Sequence, residues 1–193
     1  WIATNRDTLD IRFVTLSGDC AQNGNVSAEY DIADAAFQVL EDATSLDYPD
    51  GIPFGIAVGN HDQAPTANPG TLGDEGSTTG TFNSYFGVSR FCPGAGETNC
   101  RSYYGDHYGI NNDNHYDLFS ANGYDFIVVH IEYMSSNTPL RQAVINWADG
   151  VLTAHSDRRA IIVTHHAMGL GTGGSFGNQG EALYLGLRDN PNL

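Results

Sequence analysis

IPFGIAVGNHD, Ile52–Asp62, is an apolar run that stops abruptly at a cluster of polar side chains. A short, continuous apolar segment bounded by turn residues is the pattern of a strand covered on both faces, as in parallel sheets flanked by helices. Upstream, FVTLSGDCAQNGN, Phe13–Asn25, repeats the theme, with a strand expected over residues 11–17 that ends in Gly18-Asp19. Between the two, Ile32, Ala36, Phe37 and Leu40 recur at helical spacing, with Ser27 placed to cap the helix and an end near Thr44. Strand, helix, strand is a βαβ unit, whose strands run parallel with their carboxyl ends at one edge. Asp19 and the Asn60-His61-Asp62 group are therefore expected side by side.

Further along, residues 63–114 are rich in Gly, Thr, Asn, Tyr and Pro with little periodicity, a long excursion of the functional or lid-like kind. Two strand-like runs flank Asn122-Gly123, the strongest short hairpin signal. Thr138 and Pro139 open a helix that carries Leu140, Val144, Trp147, Ala148 and Val151 on one face. RAIIVTHH, Arg159–His166, is a third strand that ends in ligand-type residues, followed by a glycine-rich loop and a short helix over Glu181–Leu187. A helix over Trp1–Leu9 precedes the first strand. All of this fits one domain over residues 1–193, whose 40% apolar content is that of a globular chain.

The charge balance narrows the partners. Eight basic against 23 acidic residues leave a net −15 with no Lys/Arg cluster, which opposes nucleic acid and anionic membrane surfaces alike. No run approaches the roughly 20 apolar residues that span a bilayer. An anionic substrate would need a cation to attract it. Cys92 and Cys100 bracket a turn-rich segment that can close as a disulfide, worth about 2.5 kcal/mol on the loop-entropy model. With no lysine and a glycosylation sequon at Asn25-Val26-Ser27, this points to an exported, extracellular or periplasmic protein. Cys20 is left over, a small buried residue with no basic partner nearby in sequence.

Three strands thus end in metal-ligand types: Asp19, then Asn60, His61 and Asp62, then His165 and His166. Sites in α/β sheets collect at such carboxyl ends. The ordered blocks GD in LSGDCAQNG, GNHD in VGNHDQ and a His-ended strand in IIVTHHAMG resemble the calcineurin-like metallophosphoesterases, the family that includes purple acid phosphatases. That resemblance implies an α/β fold of four layers, a mixed β-sandwich flanked by helices. It also implies hydrolysis of a small phosphoester, monoester or diester, by a metal-bound hydroxide, with two ions roughly 3.5–4 Å apart. Asp19 matches the bridging carboxylate, while Asn60 and His165 match ligands of one ion. Oxygen and imidazole donors suit iron, zinc or manganese better than calcium. His61 is implied to bind phosphate and protonate the leaving oxygen, with Asp62 orienting its ring. His166, adjacent on a strand and so facing the other way, is assigned to the pocket wall or the surroundings of the ligands. His107 is a further candidate for substrate contact.

The family's first block, Asp-x-His or Asp-x-Gln, and its last, Gly-His-x-His, are absent from these 193 residues. The expectation is a piece of a longer enzyme; the alternative is an extracellular binding or structural module on a degenerate phosphoesterase fold. Taken singly, Asp19, Asn60 and Asp62 would serve as turn residues and His165 as a core histidine. Other motifs carry less. Gly173–Gly177 fits Gly-x-Ser-x-Gly, but Ser175 lies well past its strand and no His follows it. Gly171, Gly173 and Gly174 lack a following Lys-Ser/Thr. NNDNHYD, Asn111–Asp117, lacks the glycine and glutamate of a calcium loop and reads as a polar turn.

Overall fold

Strand alternation sets the layers. β1 (Val14–Leu16) and β2 (Phe54–Ile56) pair in parallel, Val14 opposite Phe54 and Leu16 opposite Ile56, with α2 (Ser27–Glu41) between them in sequence. This is the βαβ unit expected above, with β1 shorter than the apolar run. The computed structural model describes residues 1–42, 49–63, 79–134, 138–169 and 173–193; Thr44 and Gly171 lie outside them. Ser27 is the first helical residue rather than a cap, and Val26 precedes it in extended conformation without a side-chain bond to the helix. α1 (Ile2–Leu9) comes before β1 and ends at Asp10 in a left-handed conformation.

The described part of the long excursion is ordered rather than structureless. It holds α3 (Gly80–Phe86), α4 (Val88–Phe91) and β3 (Tyr104–His107), and its apolar positions are aromatic instead of aliphatic. Phe54 of β2 is fully buried against Phe37, Phe91 and Tyr103, with ring centroids 4.9, 5.4 and 6.2 Å away. Burial of such a ring is worth about 1.5–3 kcal/mol. Arg90 fastens this layer, reaching Asp34 at 2.5 Å and Glu41 at 2.8 Å while its guanidinium lies over Phe86. Cys92 and Cys100 are joined in a disulfide, which points to a non-cytoplasmic location.

A second sheet has the order β3, β4 (His115–Ala121), β5 (Tyr124–Ile131), β6 (Arg159–Thr164), antiparallel except for the parallel β5–β6 pair. Asn122 and Gly123 both take positive φ, 52° and 79°, and close the β4–β5 hairpin as their types predict. Thr138 caps α5 (Pro139–Ala154), accepting a hydrogen bond from the Arg141 amide at 3.1 Å. α6 (Asn178–Leu187) ends the described elements.

Ile127, Val129 and Ile131 of β5 pack on Val144, Ala148 and Leu152 of α5 and on Leu183 and Leu187 of α6. The alternate residues of the same sheet, Val128 and Val163, meet Ala57 and Phe13 from the β1–β2 side. The chain is thus mixed α/β, with a two-stranded parallel sheet and a four-stranded mixed sheet, and helices packed on them. Among the described residues no helix is long and apolar enough to cross a membrane.

Candidate functional site

The loop after β1 turns sharply. Gly18 has φ 112° and Asp19 φ 56°, a left-handed conformation that Asp tolerates better than most residues. The turn presses Asp19 against Gly59 of the loop after β2, where a Cβ would stand 2.1 Å from Asp19 Oδ1. Only glycine permits that approach. The His61 amide donates to Asp19 Oδ1 at 3.0 Å, so the two strand ends are tied through the carboxylate itself.

His165, the first residue past β6, completes the junction. Its Nδ1 lies 3.0 Å from the Ser17 carbonyl, which can only accept, so Nδ1 carries a proton. Its Nε2 lies 3.2 Å from Asp19 Oδ2. A ring fixed by one nitrogen on a backbone carbonyl can present the other to a metal ion shared with a neighbouring carboxylate. Burial works against the charge on Asp19, but the hydrogen bonds from His165 and the His61 amide hold its pKa below the usual carboxylate value. The Asp19 hydrogen bond lifts the His165 pKa above the ordinary imidazole value, against partial burial. Asn60, half-buried, lies between Gly59 and His61 at this edge.

Asp62 acts elsewhere than expected. It is fully buried, and its carboxylate accepts from the Gly59 amide at 2.9 Å, the Ala21 amide at 3.2 Å and the Tyr30 hydroxyl at 3.0 Å. Burial outweighs these bonds and pushes its pKa up. Asp62 therefore latches the β1 and β2 loops together, and the His61 ring is held instead by Gln22, whose carbonyl and side-chain amide lie 2.8 and 2.9 Å from Nδ1. The correction has a simple cause: adjacent residues at a tight turn diverge, and the apolar face of α2 offers Asp62 a hydroxyl to bond.

His166 packs beside Tyr133, ring centroids 5.8 Å apart, and beneath Gly177, where a Cβ would sit 2.7 Å from its Nε2. The same Tyr133 ring lies 6.1 Å from that of His165. His107 is not brought to this edge by any described contact; it sits in β3 opposite His115, with Nε2 3.3 Å from Glu97. Cys20 is half-buried, and burial together with the charges of Asp62 and Asp19 drives its pKa far above that of a free thiol.

Sequence reasoning passed over two features. Glu132, just past β5, joins a buried polar network, accepting from Asn114 at 2.8 Å while its carbonyl accepts from Gln179 at 2.6 Å. The second lies in the stretch read as a polar turn. Asn112 and Asp113 bond not locally but across to Phe86, Asn83 and Thr79 at α3, and the same stretch runs into β4 and delivers His115 and Asp117 to the sheet interior. With His130 of β5 they form a buried group able to hold a metal ion. The alternation His115, Asp117 on one strand was the available signal.

No known family's sequence profile matches this chain. The whole chain aligns at 30% identity with an uncharacterized protein, YvnB, of Bacillus subtilis strain 168, and spans 13% of that relative's length.

Proposed function

We propose that this chain is a calcineurin-like metallophosphoesterase domain, with its four-layer fold, and serves an exported hydrolase of small phosphoesters. The observation that carries the reading is the convergence of three strand ends on one carboxylate, with the His165 ring 3.2 Å from Asp19 and the His61 amide 3.0 Å from it. The layering of helices and two sheets supports the fold, and the disulfide supports the compartment.

The donor set of carboxylate, amide oxygen and imidazole fits iron, zinc or manganese, and the Nδ1–H of His165, spent on Ser17, leaves Nε2 as the ligand atom. Asp19, Asn60 and His165 would hold the metal, which supplies charge neutralisation at the phosphoryl oxygens and an activated water near neutral pH. His61, fixed at Nδ1 by Gln22, keeps Nε2 to bind a phosphoryl oxygen and to donate a proton to the leaving group. Asp62 and Tyr30 fix the two loops, so that Asp19 and His61 keep their separation when substrate binds.

Turnover of p-nitrophenyl phosphate and bis(p-nitrophenyl) phosphate by the full-length protein tests this. The expected result is hydrolysis of at least one substrate that vanishes on chelation and in Asp19→Asn. Equal turnover by Asp19→Asn and His61→Ala would rule the assignment out.

A further inference from the structure

Behind the strand ends, His115 and Asp117 of β4 and His130 of β5 meet with no exposed surface at all. His115 stands opposite His130 in the β4–β5 ladder and Asp117 opposite Val128, so all three share the face that turns toward β1 and β2. The facing strand makes room for them. At Gly55 of β2 a Cβ would lie 2.2 Å from His130 Cε1 and 2.4 Å from Asp117 Oδ2.

The unused atoms converge. Asp117 Oδ2 lies 3.5 Å from His115 Nε2 and 3.3 Å from His130 Nδ1. Among the described residues none of these three atoms, nor Asp117 Oδ1, has a hydrogen-bond partner. An unsatisfied buried polar group is costly, so four in one place demand an explanation.

The opposite ring nitrogens are engaged. His115 Nδ1 lies 2.9 Å from the Asn112 carbonyl and must donate to it, which leaves Nε2 as a lone pair in the neutral ring. His130 Nε2 lies 3.0 Å from Thr15 Oγ1, across the interface between the sheets. Burial disfavours the charged form of both imidazoles.

We propose that His115, Asp117 and His130 bind one divalent transition-metal ion of the zinc class between the two sheets, as a structural clamp separate from the strand-end site. Two imidazoles and a carboxylate are donors that zinc accepts in four-coordinate sites. Tetrahedral ligand atoms about 2.0–2.1 Å from zinc stand about 3.4 Å apart, close to the 3.3 and 3.5 Å separations already present. All three ligand atoms lie within 4.8 Å of one another. Asp117 Oδ1 lies beside them, also without a hydrogen-bond partner. Without surface exposure the ion meets no substrate; it joins β4 to β5, and the Thr15 bond extends the tie to β1. A proton shared between Asp117 and one imidazole is the rival occupant of the same space.

The test is zinc content of the full-length protein, stripped with chelator under mild denaturation, refolded with zinc alone and desalted. Asp19→Asn/His165→Asn removes the strand-end ligands and leaves the cluster native; it is expected to retain one zinc per chain. Its zinc absorption edge is expected to report two imidazoles in a shell at about 2.0–2.1 Å. Asp117→Asn/His130→Gln is expected to hold one zinc fewer than wild type. A strand-end variant without zinc, or with zinc lacking two imidazoles, would overturn the proposal in favour of the shared proton, whether or not the cluster variant folds.

Discussion

Asp19 with His165 and His115 with Asp117 and His130 use the same donor types in the same sheet system, yet differ in access. His130 stands opposite Val163, two residues before His165 on the chain, so a short step along β6 separates a sealed cluster from an open one. The side chains of Asp19 and His165 remain 31% and 26% exposed, whereas those of the cluster are fully covered. Ligands at a strand end can meet a substrate because loops frame them, while ligands inside the sandwich can only cross-link it. On the proposed reading, position along the strand, rather than residue type, divides chemistry from architecture.

The largest effect that would sharpen this contrast is expected from Asp19→Asn, which should bring phosphoester turnover to background while the circular dichroism spectrum stays native. His61→Ala should lower kcat by about 10²–10⁴-fold, the range for loss of a general acid, and less on an ester with a good leaving group. In Gly59→Ala the new Cβ has no room beside Asp19, so metal affinity should fall about 10–100-fold, as for loss of a ligand's supporting contact, read by metal titration. Gln22→Ala should cost least, because the backbone carbonyl of residue 22 still holds His61 Nδ1; a drop as deep as that of His61→Ala would mean that the side chain, not the carbonyl, sets the ring. Chelation gives a kinetic version of the comparison: metal at the exposed Asp19 site should leave first, and metal at the buried cluster only on a timescale of local unfolding.

Much of the framework was legible in the sequence. The βαβ unit followed from two apolar runs around a 3.6-residue pattern, the hairpin from Asn122-Gly123, and the helix start from Thr138-Pro139. The meeting of Asp19 and His61 followed from strand ends sharing an edge, and His165 reaches them from the second sheet. What escaped has physical reasons. α3 and α4 are too short to sustain a helical pattern over a reading window, and their cores are Phe82, Phe86 and Phe91 in a segment that polar residues dominate. The partner of Asp62 could not be read locally, since Tyr30 arrives from the helix between the strands. His115 and Asp117 were masked by the asparagines before them, and His130 by the apolar run around it, although a histidine inside such a run is itself a polar group that must be satisfied.

The most direct measurement is an anomalous-difference map from crystals of the full-length protein grown with its metals. One peak bonded to Asp19 and His165 Nε2, and a separate one enclosed by His115, Asp117 and His130, is the predicted result. A map with no peak at Asp19 would contradict the account at its centre.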